Sequence, residues 1–287
     1  GGGGGAQQRL YRSTKLWTLC ADLEESLGTL DTTRAAYDRM LQLRVATPQV
    51  VLNYAALLEE ARYFEDAFRV YERGTALFDF PYVTDVWTTY LAKFVERYGA
   101  RKLERARDLF EQVCAKVPQR EARLFYVMYA NLEEQYGLAR HAMAIYERAT
   151  DAVAESDRLA MYELYVERAT AFFGVTKTRE IYQKMIAHLP DEHVLHACLR
   201  YARLERRLGE VDRARAIYTH AAQHADPRFE ADFWKTWHAF EVRFGNTDTF
   251  REMLRVRRSV QAASATEVNV ATAEMLAAAR KKAAAAA

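Results

Sequence analysis

The chain has 287 residues, of which 50% are hydrophobic and 28% charged, a composition ordinary for a folded, water-exposed protein. Its formal net charge of +2 is too small to call for a nucleic-acid or membrane partner, and it holds no run of about 18 apolar residues that would span a bilayer. No charged-then-apolar leader is visible, and the three scattered cysteines (Cys20, Cys114 and Cys198) read as reduced packing residues on helices, so nothing points to secretion.

Homopolymers, Gly1–Gly5 and Ala283–Ala287, occupy the two ends, and residues 1–9 and 283–287 are set aside as tails or placeholders. Between them one unit recurs: DTTRAAYDRM at Asp31–Met40, EDAFRVYERG at Glu65–Gly74 and KLERARDLFEQ at Lys102–Gln112. It returns as LARHAMAIYERAT at Leu138–Thr150, TREIYQKM at Thr178–Met185 and VDRARAIYTHAA at Val211–Ala222. Its aromatic slot holds Tyr37, Tyr71, Phe110, Tyr146, Tyr182 and Tyr218, with Leu254 last, at intervals of 34, 39, 36, 36, 36 and 36 residues. A fixed period in this range is the signature of a stacked repeat array.

Within each copy, apolar residues fall at i, i+3, i+4 and i+7, one face of a helix. The first slot is small throughout (Thr33, Ala67, Ala106, Ala142, Thr178, Ala214), which predicts close approach of a second helix there. Two residues after the aromatic come Arg39, Arg73, Gln112, Arg148, Lys184 and His220, expected to point into solvent.

A partner helix precedes each copy, aromatic at its start and acidic at its end: WTLCADLEE from Trp17, FYVMYANLEE from Phe125 and WKTWHAFE from Trp234, whose Trp237 continues the stripe. Trp87, Tyr90 and Phe94, then Tyr162 and Tyr165, are the corresponding stripes of the third and fifth repeats. Gly28, Gly99, Gly137, Gly174, Gly209 and Gly245 lie between the paired helices, where a left-handed residue ends a helix. All five prolines lie between repeats. The second repeat has no such glycine, and Ala61–Phe64 fills its turn.

These features predict an all-α fold, an α-solenoid of about seven two-helix repeats forming a curved superhelix over residues 10–258. The repeats run approximately 10–46, 49–80, 82–117, 121–155, 158–189, 192–226 and 229–258. In the seventh, Phe250 replaces the small residue and Arg257 takes the last apolar slot. Residues 259–282 form a carboxy-terminal helical extension with a thin stripe of Val260, Val268, Met275 and Leu276.

Catalytic motifs are missing: there is no phosphate-binding glycine loop, no G-x-S-x-G and no H-E-x-x-H, and the five serines lie away from histidines. The pairs His193/His196 and His220/His224 have helical spacing, but Asp191, Glu192 and Asp226 are the only nearby further ligands, so packing or surface roles are preferred. Glu24, Glu133, Glu205 and Glu241 each stand four residues before a turn glycine. One per repeat, they read as salt bridges or turn hydrogen bonds and not as one acid site. No enzyme activity, metal or cofactor is expected. Basic runs at Arg97–Arg107, Arg200–Arg207 and Arg251–Arg258 are interleaved with acids, so a solvated face is favoured over an RNA groove. Arg251, Arg255 and Arg258 are the candidate RNA or partner contacts. Weak RNA contact inside a larger assembly stays open.

Repeats of about 36 residues, with Trp and Glu in the first helix and A-R-x-[IL]-[YF]-E-R-A in the second, resemble HAT repeats, relatives of the tetratricopeptide unit. The tetratricopeptide repeat itself fits less well, since its period is 34 and its W-x-x-L-G-x-x-Y opening is absent. LEESLGT at Leu23–Thr29, YGARKLERARDLFEQ at Tyr98–Gln112, GLARHAMAIYERAT at Gly137–Thr150, GEVDRARAIY at Gly209–Tyr218 and MLRVRRSVQA at Met253–Ala262 closely resemble the Syf class of pre-mRNA-splicing factors. That class includes the animal XPA-binding protein. The resemblance implies the carboxy-terminal half of a longer nuclear scaffold of the spliceosome's nineteen complex. Implied partners are the crooked-neck HAT protein, the Myb-like Cdc component, the Isy protein and the intron-binding Aquarius helicase, with a link to transcription-coupled repair. The alternative is an RNA-binding or scaffold role in mRNA 3′-end or ribosomal RNA processing. The repeat core is expected at Trp17, Tyr37, Tyr71, Trp87, Ala106, Phe110, Ala142, Tyr146, Tyr182, Ala214, Tyr218, Trp234 and Trp237.

Overall fold

The structure, a computed structural model, describes residues 10–285 and the side chains of residues 10–266. The expected tails at 1–9 and at the last two alanines lie outside the described residues. Two compact blocks are present, one ending at Ala154 and the other starting at Glu155.

The amino-terminal block holds four helix pairs: α1 (Thr14–Leu27) with α2 (Leu30–Gln42), α3 (Pro48–Glu60) with α4 (Phe64–Leu77), α5 (Thr84–Tyr98) with α6 (Leu103–Lys116), and α7 (Gln119–Tyr136) with α8 (Ala139–Ala152). The carboxy-terminal block holds three: α9 (Glu155–Phe173) with α10 (Thr178–His188), α11 (Asp191–Arg207) with α12 (Val211–Ala221), and α13 (Ala231–Phe244) with α14 (Thr247–Ala285). The helices alternate in pairs along the chain, and the fold is the expected α-solenoid. Helix α14 runs without a break through residues 259–282. The stripe proposed at Val268, Met275 and Leu276 falls outside the described side chains.

Local chemistry starts the helices. Thr29 and Thr32 form a capping box at α2, and Thr47 caps α3 with Pro48 in the first turn, where its missing N–H costs nothing. Before α14, the Asn246 side-chain oxygen accepts from the backbone N–H groups of Asp248 and Thr249, both at 2.9 Å.

The small slots are all buried: Thr33, Ala67, Ala106, Ala142, Thr178 and Ala214. So are the six aromatics after them, Tyr37, Tyr71, Phe110, Tyr146, Tyr182 and Tyr218. Each aromatic removed from water contributes roughly 1.5–3 kcal/mol. Junctions between repeats are made by rings lying flat on one another. Tyr37 stacks on Tyr54 (4.9 Å, 8°), Tyr71 on Tyr90 (5.4 Å, 12°) and Phe110 on Tyr129 (5.1 Å, 6°). In the second block Tyr182 stacks on Tyr201 (5.1 Å, 3°) and Tyr218 on Trp237 (6.1 Å, 9°). The hydroxyls need partners once buried. Tyr71 donates to Glu59 (3.1 Å) and Tyr146 to Glu134 (2.9 Å), glutamates that end the first helix of the same repeat. Trp87, Trp234 and Trp237 are buried among these rings.

Several local expectations are corrected. Trp17 is only half-buried, its indole N–H donating to the Tyr11 carbonyl at 2.8 Å, because its helix face is covered less completely than those of later repeats. Cys20 is exposed, not packed. Basic residues beyond the aromatic slot are not simply solvated. Arg73 reaches Asp38 (2.6 Å), and Arg148 grips both Glu111 oxygens (2.7 and 2.8 Å), each bridging adjacent repeats. Turn glycines serve two purposes. Gly174 and Gly209 have φ of +82° and +80°, the left-handed stop expected. Gly28, Gly137 and Gly245 have negative φ, and a Cβ on them would collide with the carboxylates of Glu24, Glu133 and Glu241. In the second repeat Arg62 itself takes the left-handed position (φ +66°), with Tyr63 N–H bonded to Leu58 O at 2.8 Å.

Candidate interaction surface

What positions the exposed side chains is a second junction, electrostatic, beside the aromatic one. The residue after three of the small slots is an arginine that reaches the next repeat's turn glutamate, always 26 residues on. Arg107 binds Glu133 through Nε (2.5 Å) and Nη2 (2.9 Å), and Arg179 binds Glu205 likewise (2.7 and 2.8 Å). Arg215 Nε lies 3.0 and 3.2 Å from the two oxygens of Glu241. The glutamates are buried while the arginines keep partial solvent contact. Burial alone would raise the Glu133 carboxyl, but Arg107's hydrogen bond and charge outweigh it and hold the group below its ordinary range. In the second repeat an apolar pair takes this place: Phe68 meets Phe94, also 26 residues on, with ring centroids 5.3 Å apart, whereas Arg34, in the same slot of the first repeat, pairs with Asp66 (3.0 Å).

Sequence reading placed Glu24, Glu133, Glu205 and Glu241 in successive layers but did not find the arginines that bind the last three. The signal was available, since Arg107, Arg179 and Arg215 share one slot of the repeat.

The candidate contact arginines all lie on α14 and are exposed. Arg251 faces Asp248 (3.7 Å), and Arg255 grips Glu252 (2.8 and 2.5 Å), so two of the three charges are locally balanced. Arg257, one position from Arg258, instead covers the Trp234 ring at 6.0 Å. The other basic runs are similarly engaged. Arg97 lies over the Phe64 ring (3.8 Å), Arg105 reaches Glu72 (3.1 Å), and Arg200 pairs with Glu163.

Grooves open between repeats among the described residues, and two of them bear on binding. In the amino-terminal block one is lined by Leu52, Asn53, Glu59, Glu60, Thr89 and Lys93. In the carboxy-terminal block the other has Ile186, Ala216 and Ile217 over Tyr201, rimmed by Arg179, Arg213 and His220, with no carboxylate in its lining. The histidine pairs do not converge with further ligands. His220 and His224 stand 5.8 Å apart, His224 lies 3.4 Å from Asp191, and among the described residues no group of three or more metal-type side chains is brought together. No described helix is long and apolar enough to cross a membrane.

Paired helices of about 36 residues, stacked rings and buried arginine–glutamate junctions define this chain as a HAT-repeat α-solenoid. Residues 3–287 match the family described as pre-mRNA-splicing factor Syf1/CRNKL1 C-terminal HAT repeat, and the chain belongs to that family. It is 57% identical over 270 residues to pre-mRNA-splicing factor SYF1 of Homo sapiens, covering 94% of this chain and 32% of that protein. The Drosophila melanogaster syf1 homolog is 54% identical over 270 residues (94% and 31%), and Dictyostelium discoideum SYF1 is 56% identical over 261 residues (91% and 31%). The chain therefore spans about a third of the length of the curated relatives it matches.

Proposed function

We propose that this chain is a non-catalytic scaffold in pre-mRNA splicing, holding spliceosomal proteins at fixed positions in the nucleus. The observation that carries the reading is the doubled junction between repeats. Stacked rings at the junctions within each block, joined at three of the junctions by an arginine bound to a buried glutamate, fix helix pairs against their neighbours, so exposed side chains within a block keep set positions. Such a surface favours long, shared contacts over an enclosed reaction site. The groove over Tyr201, basic at its rim and aliphatic within, suits an acidic segment with an apolar anchor.

Partners implied by the family resemblance, the crooked-neck HAT protein, the Myb-like Cdc component, the Isy protein and the Aquarius helicase, are the first to test. A link to transcription-coupled repair rests on the resemblance alone. Balanced charges at Arg251 and Arg255 give little support to the alternative, RNA binding in 3′-end or ribosomal RNA processing.

The test is affinity capture from RNase-treated nuclear extract with the wild-type chain and an Ile217→Asp variant. Spliceosomal proteins should be retained by wild type and a subset lost with the variant. Recovery of 3′-end or ribosome-assembly factors, or loss of every partner on RNase treatment, would overturn the proposal.

A further inference from the structure

In the amino-terminal block the residue after the aromatic slot is acidic in every copy: Asp38, Glu72, Glu111 and Glu147. The first three each take an arginine from the helix pair that follows. Arg73 reaches Asp38 (2.6 Å), Arg105 reaches Glu72 (3.1 Å) and Arg148 reaches Glu111 (2.7 Å). Such an acid can also serve the stacked ring of its junction, as when the Tyr90 hydroxyl donates to Glu72 at 2.9 Å. One carboxylate thus ties together the second helices of two repeats.

The junction of α10 with α12 breaks this pattern. Gln183 on α10 holds the acid's place, beside the Tyr201 hydroxyl. Across from it, Arg213 stands five residues before Tyr218, as Arg105 stands five before Phe110. Arg105 finds Glu72, but Arg213 is exposed and forms no ion pair among the described residues. Arg179 is only partly satisfied. Its Nε and Nη2 hold Glu205, which leaves Nη1 open. In the two comparable arginines Nη1 is taken by an acid three residues earlier, Glu104 for Arg107 (2.6 Å) and Asp212 for Arg215 (2.7 Å). Before Arg179 that place holds Thr176. Glu205 and Asp212 are already held by arginines, and neither they nor Glu210 line the groove here. It has a volume of about 540 Å³, and its half-buried Ile186 and Ile217 present aliphatic surface beside the cations.

From this geometry we propose that the groove binds a short acidic segment of a partner protein. One Asp or Glu side chain of that segment supplies the carboxylate missing at Gln183, against Arg213 and Nη1 of Arg179, and an aliphatic residue beside it packs on Ile186 and Ile217. Charge complementarity selects the occupant, because guanidinium groups without a carboxylate match one in both charge and shape. The aliphatic surface gives a protein side chain something to bury, whereas a nucleotide base would need an exposed ring to stack on, and Tyr201 is buried. This site rests on the scaffold reading and specifies the partner chemistry of one of its surfaces.

Gln183→Glu is the decisive variant. It restores inside the chain the pairing that Arg105 makes with Glu72, so it should melt no lower than wild type and yet lose the partner segment. Phage-displayed random twelve-residue peptides, selected on the immobilised 287-residue chain and counter-selected on Gln183→Glu, supply the probe. The surviving peptides should place Asp or Glu close to Leu, Ile, Val or Met. Fluorescence anisotropy of the most enriched peptide should show affinity falling on the order of tenfold or more in Gln183→Glu and in Arg213→Ala. Peptides without that pattern, no binder surviving counter-selection, or equal affinity for wild type and Arg213→Ala would each overturn the proposal. A uridine dodecamer RNA that binds wild type and is lost in Gln183→Glu, with no acidic peptide selected, would assign the groove to phosphates instead. Failure here leaves capture of splicing proteins through other surfaces intact, whereas loss of that capture with peptide binding preserved would count against the splicing role alone.

Discussion

Arg215 on α12 and Glu241 on α13 form one unit across a repeat boundary: the guanidinium Nε sits 3.0 Å from a carboxylate oxygen that is itself shielded from water. Trp237 completes it by donating its indole N–H to the same oxygen at 3.2 Å. Buried pairs of this kind add little over a well-packed apolar pair, yet they are costly to break on one side only.

Arg215→Ala should therefore destabilise the carboxy-terminal block by about 2–4 kcal/mol, less than for a fully dry pair because the arginine keeps some solvent. Replacing both partners by leucine should recover much of the loss. Chemical denaturation of the two variants tests this, and equal losses would show that the charge is not what matters.

The turns give opposite expectations for glycine. Arg62→Gly should stabilise the amino-terminal block by up to about 1 kcal/mol, since a left-handed arginine carries strain that glycine avoids. Gly245→Ala should destabilise by more than 1 kcal/mol or so, because the added methyl meets the Glu241 carboxylate and, at 2.6 Å, its backbone oxygen. Thermal melts of both variants decide the matter; an Arg62→Gly loss would mean that its side chain makes a contact of value.

Much of this was legible in the sequence. The 36-residue period, the small and aromatic slots and the proline boundaries follow from helical spacing, which packing then obeys. The arginine–glutamate junction was missed because its partners lie 26 residues apart on different repeats, so only a comparison of slots between repeats, and not spacing within one helix, reveals it. Gly137 was read as a left-handed stop, although it is needed for the room it leaves to Glu133. Trp17 was assigned to the core by its place in the repeat, and Cys20 to packing as a scattered helical cysteine; in later repeats a preceding helix lies over the corresponding positions.

Stability should fall at both ends of the pH scale. Glu111 is held below its ordinary 4.5 by its hydrogen bonds to Arg148, and Glu133 is lowered although burial opposes it. A lowered carboxyl contributes stability above its unfolded value and loses it as pH falls through the folded value, so melting should drop below about pH 4.5. Burial raises Cys198 to about 11 and Tyr54 to about 12. Those contributions are complete below the unfolded values and vanish as pH rises through the raised ones, so a second decline should begin above about pH 9. A melting temperature that stays flat between about pH 7 and pH 3 would contradict the acid limb.

Charge on α14 should matter little to RNA. Replacing Arg251, Arg255 and Arg258 by alanine should change RNA affinity less than about threefold at physiological salt, because Asp248 and Glu252 already offset two of them. A filter-binding titration over several salt concentrations would reveal a steep slope lost in the variant if these residues did neutralise phosphates.

The central claim is that successive repeats hold different spliceosomal proteins at once. Cross-linking mass spectrometry on complexes captured from RNase-treated nuclear extract tests it most directly. The account predicts cross-links from splicing proteins to several repeats in each block, to more than one partner, and insensitive to RNase. Cross-links confined to one repeat, or to RNA-processing factors outside splicing, would contradict it.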